Sequence, residues 1–306
     1  MNTTHGRRFN LKLSIPAEAS NFTQNQKNEQ DELNLPSFIV ARERRTSSFT
    51  KVLEPSFYEP FYFLYIASPD VGAPTEDVSE RIHTMVTQVN KLKPLPKFIA
   101  ICGGLMGANS KTGITNGNHS LGEALDRLDT SVKVICVPSA GDFDQNRGRK
   151  SIDEYRSIYG EDWYGFWVCG VSFIVVNSVY FQSPLNSNLE ALRIEQDDWL
   201  DSELVKQQIF NAQWTIVLQD MPVCRDLETQ EVARHVEKCR ESGVSHFFCR
   251  QSDDQPSGEL KPEDIVVVES KINQNDDTDW RICLAKVSAE KIDYRCMALE
   301  DLPAGL

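Results

Sequence analysis

Histidine is scarce in this chain, which has only five in 306 residues. None of the eight cysteines forms a C-x-x-C pair, so the sequence lacks the spacing of a zinc ribbon or a thiol redox motif. No stretch approaches eighteen consecutive apolar residues, and the first residues contain no apolar segment of the kind that directs secretion. We therefore expect no membrane association, reduced thiols and a cytoplasmic protein.

Basic residues are also fewer than acidic ones. The chain has 32 Lys and Arg against 45 Asp and Glu, for a net charge of −13. An acidic protein repels the phosphate backbone, so we expect no nucleic-acid partner. Hydrophobic residues make up 40% of the sequence, which is ordinary for a globular protein with a sizeable core.

Residues 1–55 differ in composition from the rest of the chain. They are rich in Asn, Gln, Ser, Thr and Glu without sustained periodicity, which predicts a disordered polar tail before a domain over residues 56–306. Inside the tail, two arginines precede Thr46 and Ser47, a pattern typical of sites for basophilic kinases. Ser47 is therefore a candidate phosphosite, and the alternative is a solvated basic patch.

Apolar runs of strand length alternate with segments of helical periodicity in the first half of the domain. Neighbouring strands dominate the second half, which predicts an α/β protein with sheets between helical layers. The predicted strands cover residues 61–67, 97–102, 132–137, 163–169, 171–177, 214–218, 244–249, 265–268, 281–287 and 291–297. The predicted helices lie near residues 78–92, 123–128, 189–204 and 232–239.

Five polar loops follow predicted strands, at residues 68–70, 103–104, 139–142, 219–220 and 250–254. In α/β folds such loops build the functional site. Their order and spacing resemble the calcineurin-like metallophosphoesterase superfamily, whose motifs run D-x-H, G-D, G-N-H-D/E, a lone His and G-H-x-H. The resemblance implies a metallophosphoesterase-type four-layer α/β/β/α sandwich that holds two metal ions, which activate water and neutralise the phosphate.

The resemblance extends over about residues 58–300 and is strongest to the serine/threonine phosphatases of the protein kinase B pathway that carry a calcineurin-like phosphoesterase domain. Scaffold stretches carry it, at residues 89–94, 165–171, 176–178 and 196–201. The metal motifs instead depart from the family at nearly every position. The degenerate positions are Ser68, Asp70, Gly104, Ala140, Gly141, Asp142, Asp220, Gln251 and Asp253.

These departures predict a pseudophosphatase that acts by binding or scaffolding, with no catalytic residue, no cofactor and an unidentified protein partner. A glycine at the place of the bridging carboxylate removes a ligand that both metals share. The alternative is a phosphoesterase with a rewired site, in which Asp70, Asp220 and Asp253 hold one divalent cation such as Mn²⁺ or Mg²⁺. Asp142 and Asp254 are expected at the same cleft.

Other candidate groups near these loops have simpler explanations. Arg250 is expected either to pair with Asp220 or Asp253 or to receive an anion. Cys102 and Cys249 flank the loops, but no histidine is placed as a base, so burial as small hydrophobes is the simpler reading.

The histidines offer little for metal binding. His119 lies in G-N-H-S, close to the family's G-N-H-D, but we expect a polar loop there without a preceding strand. His83 and His235 are expected on helix surfaces, and His246 inside a strand.

Overall fold

All ten predicted strands are present, and their ends differ from the prediction by at most two residues. The computed structural model describes residues 49–67, 76–106, 116–143, 148–181, 187–220, 230–250, 265–268, 281–303 and 305. Every described residue lies in the compact unit that spans residues 37–306. The strands are β1 Phe61–Ala67, β2 Phe98–Cys102, β3 Lys133–Val137, β4 Tyr164–Val168, β5 Val171–Val175, β6 Thr215–Gln219, β7 His246–Arg250, β8 Ile265–Val268, β9 Arg281–Val287 and β10 Ile292–Ala298.

The strands form two five-stranded sheets. The first has the order β10-β9-β1-β2-β3, and the second has the order β4-β5-β6-β7-β8. In the first sheet β1, β2 and β3 run parallel, and β9 is antiparallel to both β1 and β10. In the second sheet β5 to β8 run parallel, and β4 forms the expected antiparallel hairpin with β5.

Strand side chains alternate between two different cores, as the pleat requires. In β1, Phe63 and Tyr65 face the second sheet, whereas Leu64 and Ile66 face the helices on the outer side. A third core lies between the outer face of the second sheet and two further helices. The layer order is therefore helices, sheet, sheet, helices, which confirms the predicted four-layer α/β/β/α sandwich.

Five α-helices lie in the described part of the chain. They are α1 Glu76–Lys91, α2 Asn116–Leu125, α3 Arg149–Tyr159, α4 Ser187–Phe210 and α5 Gln230–Glu241. Helix α3 was not predicted, because it is rich in charged residues and buries only a narrow stripe that includes Ile152, Tyr155 and Tyr159. No helix in the described ranges is long and apolar enough to cross a membrane.

Residues 49–58, called here the N-terminal strap, lie along the hairpin of β4 and β5. The Phe49 side chain is 6% exposed and belongs to the core between the sheets, and its carbonyl accepts a hydrogen bond from the Trp167 amide at 3.0 Å. The Glu54 carboxylate accepts one from the Cys169 amide at 2.7 Å. Phe49 and Glu54 therefore contact the hairpin from the N-terminal side of residue 56, where the domain is predicted to begin.

Gly170 makes the close approach of the strap possible. Its φ of +73° lies in the left-handed region, where side chains are strained. A Cβ atom at this position would lie 2.3 Å from the backbone nitrogen of Phe57. Gly170 is therefore needed both for the predicted hairpin turn and for the close passage of the strap backbone.

Candidate functional site

The ends of the parallel strands of both sheets meet at one edge of the molecule. The Tyr65 hydroxyl, near the end of β1, donates a hydrogen bond at 2.7 Å to the Gln219 carbonyl at the end of β6. The Cys102 thiol at the end of β2 contacts the same carbonyl at 3.8 Å and the Asp220 carboxylate at 3.9 Å. The carboxyl ends of these three strands therefore converge, as the sequence predicts.

The loop after β2 begins with two glycines in left-handed conformations. Gly103 has a φ of +71° and Gly104 a φ of +65°. Gly104 stands where the resemblance places the bridging aspartate, and its backbone conformation favours glycine over any residue with a side chain. The position supplies no ligand atom, and the turn directs the next two backbone amides toward the loop after β3.

Asp142, in the loop after β3, binds that turn. One carboxylate oxygen accepts hydrogen bonds from the amides of Leu105 at 2.7 Å and Met106 at 2.9 Å. The other accepts from the amide and the hydroxyl of Ser139, both at 2.9 Å. A carboxylate has about four lone-pair sites, so these donors saturate it.

Asp142 is 3% exposed, and burial raises the pKa of its carboxyl to about 6, although the four donors favour the charged form. Ala140 and Gly141, at the expected Asn and His positions, form the 3-10 turn that Asp142 closes. Asp142 thus ties two loops together, which is a structural role rather than that of an exposed metal ligand.

Asp220, at the position of the family's lone histidine, pairs with Arg250. The Arg250 Nε atom lies 2.6 Å from one Asp220 carboxylate oxygen, and its Nη2 atom lies 3.4 Å from the other. The Arg250 amide also donates to the Asp220 carbonyl at 3.0 Å. Of the two expectations for Arg250, the structure shows the pairing with Asp220.

The ion pair is largely removed from solvent. The Asp220 side chain is 3% exposed and the Arg250 side chain 21%. Burial alone would lower the pKa of the Arg250 guanidinium, but the Asp220 charge more than offsets this and holds that pKa above its ordinary value. Burial also raises the pKa of the neighbouring Cys102 thiol, so this sulfur stays protonated.

Several predicted site positions fall outside the described residues. These are Ser47, Ser68, Asp70, Gln251, Asp253 and Asp254. Among the residues that the structure does describe, no three His, Cys, Asp or Glu side chains are grouped so that they could hold a metal ion. At the described positions the donor set does not fit a dinuclear centre, because Gly104 offers no side chain, Asp142 is saturated and Asp220 is paired.

A buried polar network joins two of the scaffold stretches, residues 176–178 and 196–201, to neighbouring segments. The Gln196 side chain accepts from the Asn177 amide at 2.8 Å and donates to the Asn177 carbonyl at 3.3 Å. The Asn177 side chain donates to Asp162 at 2.7 Å, and the Tyr180 hydroxyl donates to the same carboxylate at 2.7 Å. Arg156 completes the network with an ion pair to Asp162 at 2.6 Å.

His235 is buried, which corrects the expectation of a surface histidine. It is 4% exposed, stacks on Phe181 with ring centroids 4.5 Å apart, and places Nε2 3.2 Å from the Gln219 side-chain oxygen. His83 is half-buried on α1, and His246 lies in β7 as expected. The G-N-H-S segment at 117–120 lies in helix α2, so the expected polar loop is also wrong.

The burial of His235 makes the protein less stable in acid. Burial lowers the pKa of the imidazole from 6.5 to about 3, so above pH 6.5 the ring is neutral in both states and the full stability is present. As the pH falls toward 3, His235 binds a proton in the unfolded chain but stays neutral in the folded chain. The free energy of unfolding should therefore fall by roughly 2 kcal/mol between pH 6.5 and 5 from this group.

Urea unfolding of the wild type and of His235→Gln across this pH range measures the effect. The glutamine does not titrate, and its amide can still donate to Gln219. The variant should show a flatter dependence on pH, and equal slopes for the two proteins would contradict the assignment.

Comparisons with known proteins agree with this geometry at the level of the fold. No family model matches the chain. The serine/threonine-protein phosphatases CPPED1 of Homo sapiens and Pongo abelii are each 27% identical to it over 291 residues, which cover 87% of this chain and 92% of theirs. The Bos taurus protein of the same name is 28% identical with the same coverage.

A solved structure extends the comparison. The purple acid phosphatase PPD1 of yellow lupin matches with a TM-score of 0.53 and 9% identity over 81% of this chain. The match covers 53% of the lupin protein, so the chain spans about half the length of that phosphatase. These findings confirm the predicted resemblance to calcineurin-like phosphoesterases and the predicted metallophosphoesterase-type fold.

Proposed function

We propose that this relative of the calcineurin-like phosphoesterases, which has their metallophosphoesterase fold, is a pseudophosphatase that binds partners and does not hydrolyse phosphoesters. One observation carries the proposal. At the position of a metal-ligating histidine, the Asp220 carboxylate lies 2.6 Å from the Arg250 guanidinium in a largely buried pair. The Arg250 guanidinium thus occupies the space beside Asp220 that a divalent metal ion would need.

The energetics of the pair oppose metal binding beside Asp220. A cation bound to Asp220 would have to displace Arg250 and leave its guanidinium buried without a counterion. Breaking a buried ion pair in this way typically costs about 3–5 kcal/mol. The neighbouring positions do not compensate, since Gly104 has no side chain and Asp142 already accepts four hydrogen bonds.

The alternative function is a metal-dependent protein phosphatase with a rewired site. The names of the phosphatase relatives favour it. It would need Asp70, Asp220 and Asp253 to hold one Mn²⁺ or Mg²⁺ through oxygen ligands. The Asp220 carboxylate would also have to break its ion pair with Arg250. Whether this ion pair persists when metal is supplied therefore distinguishes the two functions.

The partner in this proposal is a protein rather than a nucleic acid, whose phosphate backbone an acidic chain repels. The cytoplasm is the proposed location. Phosphorylation of Ser47 would add about −1.5 to −2 charges next to the start of the N-terminal strap. Such a phosphate can act as a docking switch for a partner with a basic surface.

Metal content measured by mass spectrometry tests the proposal. The full chain is incubated with Mn²⁺, desalted and assayed beside the human relative, with a phosphopeptide hydrolysis assay on the same samples. We expect near-zero bound metal and no hydrolysis above buffer. About one or two equivalents of metal, reduced by Asp220→Ala and accompanied by hydrolysis, would establish the rewired enzyme instead.

A further inference from the structure

Two cysteines face each other on the last two strands of the first sheet. Cys283 of β9 and Cys296 of β10 are direct partners in an antiparallel register. Directly opposite residues of antiparallel strands point to the same face, with Cβ atoms about 4.5–5.5 Å apart. Both residues are thiols, and their side chains are in hydrogen-bonding contact.

The backbone geometry at this pair is compatible with a disulfide. Opposite residues in antiparallel strands have Cα atoms about 4.5–5.5 Å apart, and disulfides bridge Cα separations of about 4.4–6.8 Å. Disulfides also need Cβ atoms about 3.5–4.5 Å apart, so the bond forms by side-chain rotation together with a small approach of the two strands. The other described cysteines have no cysteine opposite them in either sheet, so this placement is specific to one pair.

The two thiols differ in access to solvent. Cys283 is fully buried in the core between the sheets, whereas Cys296 is half-buried on β10, which forms the edge of the first sheet. Burial raises the pKa of the Cys283 thiol well above its ordinary value. The half-buried Cys296 is therefore the sulfur that an external reagent reaches, and Cys283 is the second thiol.

We propose that Cys283 and Cys296 are a reversible redox site that a low-molecular-weight disulfide, such as oxidised glutathione, converts to a protein disulfide. The Cys296 thiolate attacks one sulfur of the oxidant and releases one glutathione, which takes up the proton that Cys296 lost. Cys283 then loses its proton, attacks the Cys296 sulfur and expels the second glutathione. Two protein thiols are oxidised, and one oxidised glutathione is reduced to two thiols.

The site lies beside the cleft described above. Cys283 is also the direct partner of Tyr65 on β1, and the Tyr65 hydroxyl holds the end of β6 through the Gln219 carbonyl. A disulfide would link the edge strand β10 covalently to the strand next to Tyr65. Cys296, Cys283 and Tyr65 thus lie in a row across the first sheet, and the Tyr65 hydroxyl contacts the residue before Asp220.

Peptide mapping of the oxidised full chain tests the proposal. The folded wild type is incubated with oxidised glutathione, denatured, alkylated and digested without reduction. We expect two of the eight thiols to escape alkylation, and a cross-linked peptide that contains Cys283 and Cys296. Dithiothreitol should restore both thiols.

Two serine variants control the experiment. Cys296→Ser should abolish the cross-link, whereas Cys239→Ser, at a buried thiol on α5, should leave it intact. The proposal is overturned if both thiols of the wild type still react with the alkylating agent after incubation with oxidised glutathione. It is also overturned if the final product is a mixed disulfide of glutathione and Cys296, from which Cys283 does not displace the glutathione.

Discussion

Replacing Asp220 with alanine is expected to lower the free energy of unfolding by about 3–5 kcal/mol, because it leaves the Arg250 guanidinium buried without its counterion. The Asp220 side chain is only 3% exposed, so bulk solvent does not reach the place that the lost carboxylate occupied. Urea denaturation at neutral pH measures the change.

Two further variants show whether the loss comes from the buried pair. Asp220→Leu combined with Arg250→Met removes both charges and should recover much of the loss, since buried pairs exchange well for apolar residues. Asp153→Ala breaks an exposed pair with Arg149 and should cost no more than about 1 kcal/mol. If Asp220→Ala costs as little as Asp153→Ala, the Arg250 guanidinium is not fixed beside Asp220, and the main support for a pseudophosphatase is lost.

The second large effect is expected at Asp142. In Asp142→Asn the side chain keeps one acceptor oxygen and gains an NH₂ group, which must face two of the four donors in either orientation. Those donors are the amides of Leu105 and Met106 on one side and the amide and hydroxyl of Ser139 on the other. We expect a loss of about 3 kcal/mol in the free energy of unfolding, because buried donors are left unpaired.

Asp129→Asn is a matched control for this effect. Asp129 also accepts hydrogen bonds from a serine amide and hydroxyl, here both from Ser131 on the same carboxylate oxygen, but it is exposed. The asparagine oxygen can therefore serve both donors, and the loss should be much smaller than at Asp142. Equal losses in the two variants would show that Asp142 is not the tie between the loops after β2 and β3.

The strands were predictable because their apolar runs are continuous and end at turn residues. Helix α3 was missed because its buried stripe is narrow. The first turns of α2, before the helix predicted near residues 123–128, were read as a loop because they begin with Asn, Gly and Asn. His235 was expected on a surface because Arg234, Glu237 and Lys238 lie near it in sequence. Its burial depends on Phe181 and Gln219, which come from other segments.

The positions at the site were predictable from strand ends, but their partners were not. Sequence spacing placed Gly104, Asp142 and Asp220 in loops that converge, and the structure brings these loops together. The saturation of Asp142 depends on the two backbone amides that follow the turn at Gly104. The parts played by Tyr65 and Cys102 depend on how the two sheets face each other, which no linear pattern records.

The place of β1 has a consequence for the protein while it is being synthesised. β1 is the first of the described strands to leave the ribosome, yet it lies in the middle of its sheet, between β2 and β9. β9 begins at Arg281, roughly 200 residues later, which takes about 10–40 s at ordinary elongation rates. During that interval one edge of β1 has no partner strand, so the nascent chain depends on chaperones or on other transient contacts to protect it from aggregation.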